Sequence, residues 1–167
     1  MSDTNLQVQS LAQLSKGGDW RLALAHDRDV HALIWITRGQ GKLLLDGRRR
    51  GLGPHNAIFV PAGALMALEL GRQCLGHAVL IPAATSLRLL QTPCQIRVRD
   101  AGAQAELSAL IDAALREQTL ARPLAQDAME AHAALMSVWL HRQIGDAAHV
   151  PPNCPRQRRC RSDFARC

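Results

Sequence analysis

The sequence predicts a mainly β protein, a small antiparallel barrel followed by a two-helix α-hairpin. Three observations lead there. From Trp20 to Ile81, short β-branched or apolar runs are cut by Gly-, Asp- and Pro-containing turns arriving about every 8–12 residues. No helical period is visible until about residue 103. Beyond it, two segments place apolar residues on one helical stripe each, with a Pro-containing break between them. The chain divides accordingly into residues 1–18, a flexible N-terminus; 19–100, the barrel; 101–146, the helical hairpin; and 147–167, an irregular tail.

Trp20 to His26 alternates enough for a first strand, and Asp27 to Asp29 is turn-like. Val30 to Thr37 (VHALIWIT) is a second strand, β-branched at Val30, Ile34, Ile36 and Thr37. Gly39-Gln40-Gly41 turns the chain into a strand over Lys42 to Asp46. Asp46-Gly47 is a hairpin signal, and Arg48 to Leu52 returns. Gly53-Pro54-His55-Asn56 turns again before the short strand Ala57 to Val60, which Pro61-Ala62-Gly63 ends. Ala64 to Leu70 and Gln73 to Ile81 form the last hairpin, turning near Gly71-Arg72. Leu107, Leu110, Ile111, Ala114 and Leu115 line one face of a helix over 103–120. Met129, Ala133, Met136, Leu140 and Ile144 line another over 126–143, with Gly145 as its stop.

Charge and cysteine narrow the function classes. Of the formal +6, residues 150–167 hold five arginines against Asp163, a net +4, which leaves +2 for the rest. The body is thus nearly neutral and lacks the basic surface of a nucleic-acid binder. Arg48-Arg49-Arg50 reads as a solvated hairpin surface. Cys74 and Cys94 lie in the body and Cys154, Cys160 and Cys167 in the tail; none forms a CxxC pair or a zinc module, so they read as free thiols. No apolar run approaches the roughly 20 residues of a membrane span, and the N-terminus has no apolar h-region, which predicts a cytoplasmic protein.

His26-Asp27-Arg28-Asp29, then LIWITRGQGKLLLDG (33–47), then GPHNAIFVPAG (53–63) together resemble the cupin barrel, a double-stranded β-helix or jelly roll. More narrowly they resemble the N-terminal sensor domain of AraC-type transcriptional regulators, whose two interdomain helices residues 103–145 also resemble. In the 53–63 block His55-Asn56 stands where the family pattern has Gly-Asp; both side chains tolerate a left-handed turn position.

The resemblance locates a cupin metal site at His26, Arg28, Ala32 and Met66, one ligand-competent residue in four. Arg28 stays protonated and repels a divalent cation, Ala32 has no donor, and the Met66 thioether suits soft metals only. The expectation is therefore no metal, no cofactor and no catalytic residue. Strand alternation turns Val30, Ala32, Ile34 and Ile36 toward the lumen, and His31, Leu33 and Trp35 outward. Outside, His31 reads as a partly covered surface or interface histidine and Trp35 as a residue packed under a helix or a partner chain; His77 stays ambiguous. The lumen candidates for ligand binding are His26, Arg28, Ala32, Ile34 and Met66. They suit a small organic effector, with Arg28 at one mouth to hold an anionic group.

Full-length regulators of this kind carry two helix-turn-helix units after the helical pair. PPNCPRQRRCRSDFARC (151–167) has no such periodicity, and its abrupt composition reads as a shifted reading frame. The expected protein is a metal-free sensor and dimerisation module, not an enzyme. It would form a homodimer through residues 103–145, bind no operator by itself and contact no membrane. Two alternatives stand beside it: a stand-alone small cupin isomerase or epimerase using His26 as a base, and a non-catalytic interaction protein with a solidly packed lumen.

Overall fold

The computed structural model describes residues 5–14 and 30–149. Its elements run β1 (Gln7–Ser10), α1 (Leu11–Leu14), β2 (Val30–Arg38), β3 (Gly41–Leu45), β4 (Arg48–Leu52), β5 (Asn56–Val60), β6 (Met66–Leu70), β7 (Leu75–Pro82), β8 (Cys94–Arg97), α2 (Ala101–Leu120) and α3 (Ala125–His149). Two antiparallel sheets face one another: five strands in the order β1-β7-β2-β5-β8, and three in the order β4-β3-β6. The strand predicted at Trp20–His26 lies outside the described residues.

Strand β2 is the centre of the larger sheet. Its residues 32–36 pair with β5 on one side, and residues 30–38 pair with β7 on the other. Period-2 alternation on a strand sends neighbours to opposite faces, and here both faces are covered. Ala32, Ile34 and Ile36 enter the core between the sheets, with Leu43 and Leu45 of β3, Ile58 and Val60 of β5, and Met66 and Leu68 of β6. Leu33 and Trp35 enter a second core beneath α2 and α3, with Phe59, Val79, Leu107, Ile111, Met136 and Trp139. The run Ala32–Ile36 is therefore buried without a break. The continuous apolar text LIWI reflects that double cover.

The helices are set by their ends and by their stripes. Asp100 caps α2, its Oδ2 accepting from Ala103 N at 2.7 Å. Ala121, at φ 45°, ends α2 in a left-handed cap whose N–H reaches Glu117 O. Of the apolar stripe read from sequence, Leu107, Ile111 and Ala114 are buried, and Leu110 and Leu115 partly so. On α3, Met129, Ala133, Met136 and Leu140 are buried, with Ile144 packed at their edge. Two indoles then lock the helical pair to the sheet. Trp35 Nε1 donates to Ser108 Oγ at 3.0 Å, and Trp139 Nε1 to Ala103 O at 3.0 Å. The two rings meet edge-on with centroids 6.2 Å apart.

Three features differ from the sequence reading. Residues 7–14, placed in a flexible N-terminus, form β1 and α1: the alternation Leu6-Gln7-Val8-Gln9 pairs with β7, burying Leu6 and Val8, and Leu11 fills the inter-sheet core. Strand β8 pairs with β5 where no strand was expected. Helix α3 continues through Gly145 to His149. A glycine stops a helix by adopting a left-handed φ, and Gly145 is not among the positive-φ residues.

Trp35 carries enough contact to be tested directly. Trp35→Ala is expected to cost about 3–5 kcal/mol in urea unfolding. Trp35→Phe, which keeps a ring but removes the bond to Ser108, should cost about 1–2 kcal/mol. A loss under about 1 kcal/mol for Trp35→Ala would show that the helices are held on the sheet by other contacts.

Candidate functional site

The space between the sheets is the candidate site. Of the sequence-derived lumen residues, Ala32 and Ile34 from β2 and Met66 from β6 are brought into one apolar cluster. His26 and Arg28 lie outside the described residues. At the rim of the cluster Leu14, Ala64, Leu70 and Leu80 are only partly covered.

The lining is chemically quiet. Among the described residues of the inter-sheet cluster, Cys74 is ionisable, and burial raises its thiol above the ordinary range. Cys94, on β8, is pushed the same way by burial, partly offset by a backbone hydrogen bond at Phe59. A thiol raised in pKa is a poor nucleophile. Among the described residues no group of three His, Cys, Asp or Glu side chains is placed to hold a metal ion. Ala32 and Met66, at two of the cupin ligand positions, offer only a methyl and a thioether within an apolar cluster. The described residues do not fit a divalent metal.

Among the described residues, no histidine joins the inter-sheet cluster. His55 and His77 lie on the outer face by Trp35: the His55 ring is 6.0 Å from the Trp35 ring, and His77 is the cross-strand neighbour of Trp35 on β7. His31 stacks on Phe59 with ring centroids 6.1 Å apart. Its Nδ1 accepts from Ala62 N at 2.9 Å, so it ties the Pro61-Ala62-Gly63 turn to β2. An N–H can only donate, so Nδ1 must be the unprotonated nitrogen.

The turn before β5 is organised by two residues the family pattern would not supply. His55 sits at φ 62°, the left-handed position that the 53–56 turn requires, with its N–H on Ile36 O and its carbonyl taking Val98 N. Asn56 is buried and fully used. Its Nδ2 donates to Gly53 O at 2.7 Å, and its Oδ1 accepts from Gln95 Nε2 at 2.9 Å. Gln95 also donates to Gly51 O. A carboxylate could not supply the Nδ2 donor, which is why Asn rather than Asp suits this position. Gln95 was missed from sequence because β8 itself was missed.

Neither a protein-family model nor a curated protein sequence matches the chain. Solved structures do match. The apo ToxT K231A structure from Vibrio cholerae aligns with a TM-score of 0.51 at 9% identity, covering 86% of this chain and 58% of that one. The chain therefore spans little more than half of that structure's length. The chain has the cupin-type jelly-roll fold, with its helical pair, of the N-terminal domain of ToxT, an AraC-family regulator. A ToxT structure bound to (E)-4-(8-methylnaphthalen-1-yl)but-3-enoic acid matches with a TM-score of 0.46 at 9% identity, over 85% of this chain and 57% of that one. A cupin protein of Bacteroides fragilis matches with a TM-score of 0.36 at 12% identity, over 56% and 77% of the two chains.

His31 makes stability depend on pH in a stated direction. Burial lowers its pKa below the ordinary 6.5, and protonation would set an N–H against the Ala62 N–H. The unfolded chain therefore takes up the proton first. Its contribution is complete above about 6.5 and is lost as pH falls from there through the lower folded-state value. Urea unfolding at pH 7.5 and 5.5 should show a larger loss for the parent protein than for His31→Gln, whose amide oxygen can accept from Ala62 at either pH. Equal losses would remove His31 as the cause.

Proposed function

We propose that this chain is the small-molecule-sensing and dimerisation module of an AraC-like transcriptional regulator, working without a metal and without catalysis. The observation that carries this reading is the character of β2. Its inner face (Ala32, Ile34, Ile36) adds only hydrocarbon to the inter-sheet space, while its outer face (Leu33, Trp35) is the seat of the helical pair. One strand thus joins a place suited to an apolar effector with a place suited to carrying its occupancy outward. Arg28, two residues before β2, is the group expected to hold an anionic end of the effector. The described helices support a relay and not a reader of bases: α2 and α3 both spend their apolar stripes on the sheet and on each other. Reading DNA falls to residues other than 5–149, and the protein works in the cytoplasm.

The experiment is a thermal-shift series with monocarboxylic acids of graded chain length, the naphthyl-butenoic acid of the ToxT complex, and the neutral amide of each. At about a hundredfold excess over Kd, a binding acid should raise Tm by roughly 5–10 °C. The amides should do less, and Arg28→Gln should erase the difference between acid and amide. Ile34→Trp, which fills the space, should abolish the shift altogether. Stoichiometric metal in the purified protein, or turnover that depends on His26, would overturn the reading in favour of an enzyme.

A further inference from the structure

The body of the chain sums to almost no charge, yet its arginines are not evenly spread. Strand β4 is an edge of the three-stranded sheet and β8 an edge of the five-stranded one. Gln95 of β8 donates to Gly51 O of β4 at 3.0 Å, so these two edges meet. Arg48 and Arg50 lie opposite Leu45 and Leu43, and Arg97 lies opposite Asn56, so all three leave their strands on the inter-sheet side. No strand lies beyond either edge among the described residues, and all three arginines are exposed. Val98 is buried beneath the helices, which sets the exposed Arg99 on the same side as Arg97. The Gln95–Gly51 and Asn56–Gly53 contacts give the order along the junction: Arg48, Arg50, then Arg97, Arg99. At about 3.3 Å per residue the row is roughly 20–25 Å long.

We propose that this arginine row is a docking track for the sugar-phosphate backbone of duplex DNA, contacting phosphates without reading bases. It rests on the regulator function proposed above, which places the protein beside DNA. The four guanidinium groups have no carboxylate partner: among the described residues an ion pair forms only between Arg122 and Glu117. Asp46 lies at the hairpin tip beyond Arg48, and Asp100, beside Arg99, is engaged as the cap of α2. The acids thus sit at the ends of the row and not within it. Uncompensated like charges in a line repel one another, and a linear polyanion relieves them. Residues i and i+2 of a strand stand about 6.6 Å apart, close to the separation of successive phosphates on one strand. Each guanidinium fork can also take two phosphate oxygens. A small anion would need groups that converge, whereas these are spread and exposed. An acidic protein would need an apolar centre to its interface, and no large apolar side chain of β4 or β8 is exposed. Phosphate contacts fix position and carry no sequence information, so base reading still falls to other residues.

Fluorescence anisotropy on the full chain tests this, with two duplexes of unrelated sequence titrated between about 50 and 200 mM salt. Arg48→Gln with Arg50→Gln, and Arg97→Gln with Arg99→Gln, should each weaken binding to both duplexes by about tenfold. Each pair should also flatten the dependence of log Kd on log salt by about 2, and all four together by about 4. The control is Arg116→Gln with Arg122→Gln, near the Gln118 that reaches β1, the sheet edge opposite β8. It removes the same charge and should lose less than about twofold. The five arginines of residues 150–167 are present in every variant and cancel from these comparisons. A parent protein that binds neither duplex, equal losses in control and row variants, or row variants with the parent's slope overturn the track. So does a loss confined to one duplex, or displacement of the duplex by poly-glutamate at equal charge, which would assign the row to an acidic protein. The carboxylic-acid thermal shift is read on the variant lacking all four arginines, whose urea midpoint should match the parent because each substituted side chain is exposed. A shift that persists there while duplex binding is unaltered refutes the track and leaves the sensor reading standing.

Discussion

From Ala32 to Ile36 every side chain of β2 is buried, alternately between the sheets and beneath the helices, and the rest of the molecule is arranged to keep it so. A strand covered on both faces loses all solvent contact for its side chains, so both covers must be present at once. On one side the three-stranded sheet supplies Leu43, Leu45 and Leu68. On the other, the helical pair supplies Leu107, Met136 and Trp139. Both edges are paired as well, which leaves none of its central backbone groups to water. Close approach matters here. A Cβ at Gly76 would collide with the Trp35 carbonyl, so glycine is what lets β7 lie against β2 at this level. At the neighbouring turn, Gly39 sits at φ 95°, where a Cβ would lie 2.6 Å from Cys74 Cα.

The polar interactions that matter are few and local to turns. Asn56 is buried because its amide replaces backbone bonds that the 53–56 turn cannot make for itself, and Gln95 extends that substitution to β8. Gln118 does similar work at the opposite edge of the sheet. Its amide accepts from Val8 N at 2.8 Å and donates to Val8 O at 3.0 Å, pairing the outer edge of β1 as another strand would. An edge strand with satisfied outward groups is a poor template for further strands. Gln118 from α2 thereby covers the β1 edge of the five-stranded sheet at Val8.

Much of this was legible in the sequence because period and turn chemistry act locally. The strands from β2 to β7 appear within a few residues of where alternation and the Gly39, Asp46-Gly47 and Pro61-Ala62-Gly63 signals place them. The inside-outside assignment of β2 followed from period 2 counted from His26 and Arg28, which the cupin resemblance set in the lumen; of the two covers it left for Trp35, a helix or a partner chain, the structure shows the helices. Where reading failed, the deciding contact was distant. Cys94–Arg97 has no strand pattern of its own and becomes β8 because β5 offers a free edge. Gln7–Ser10 looks like polar leader sequence, yet Leu6 and Val8 find partners on β7 and α2. Gly145 was read as a stop from residue type, although a lone glycine costs a helix only about 1 kcal/mol, which neighbouring turns can absorb. For the candidate site, the apolar character of Ala32, Ile34 and Met66 was readable, whereas their convergence on one cluster required the pairing of β3 with β6.

The double burial of β2 also sets what kind of signal the fold can carry. An effector between the sheets can influence the helices only if it binds two arrangements of the protein unequally. Ile34 and Trp35 are consecutive, so a displacement of β2 that widens the inter-sheet space moves the Trp35 ring against Trp139 and the indole N–H against Ser108. Packed interiors resist continuous deformation and tend to switch between discrete arrangements. In the proposed sensor, the edge-on Trp35–Trp139 contact and the Trp35–Ser108 bond are what such a switch would act on. Its far side is α3: Trp139 follows Val138 directly, with one side chain in the core and the other exposed. A ligand that shifts the indole pair would therefore alter the helix surface from beneath.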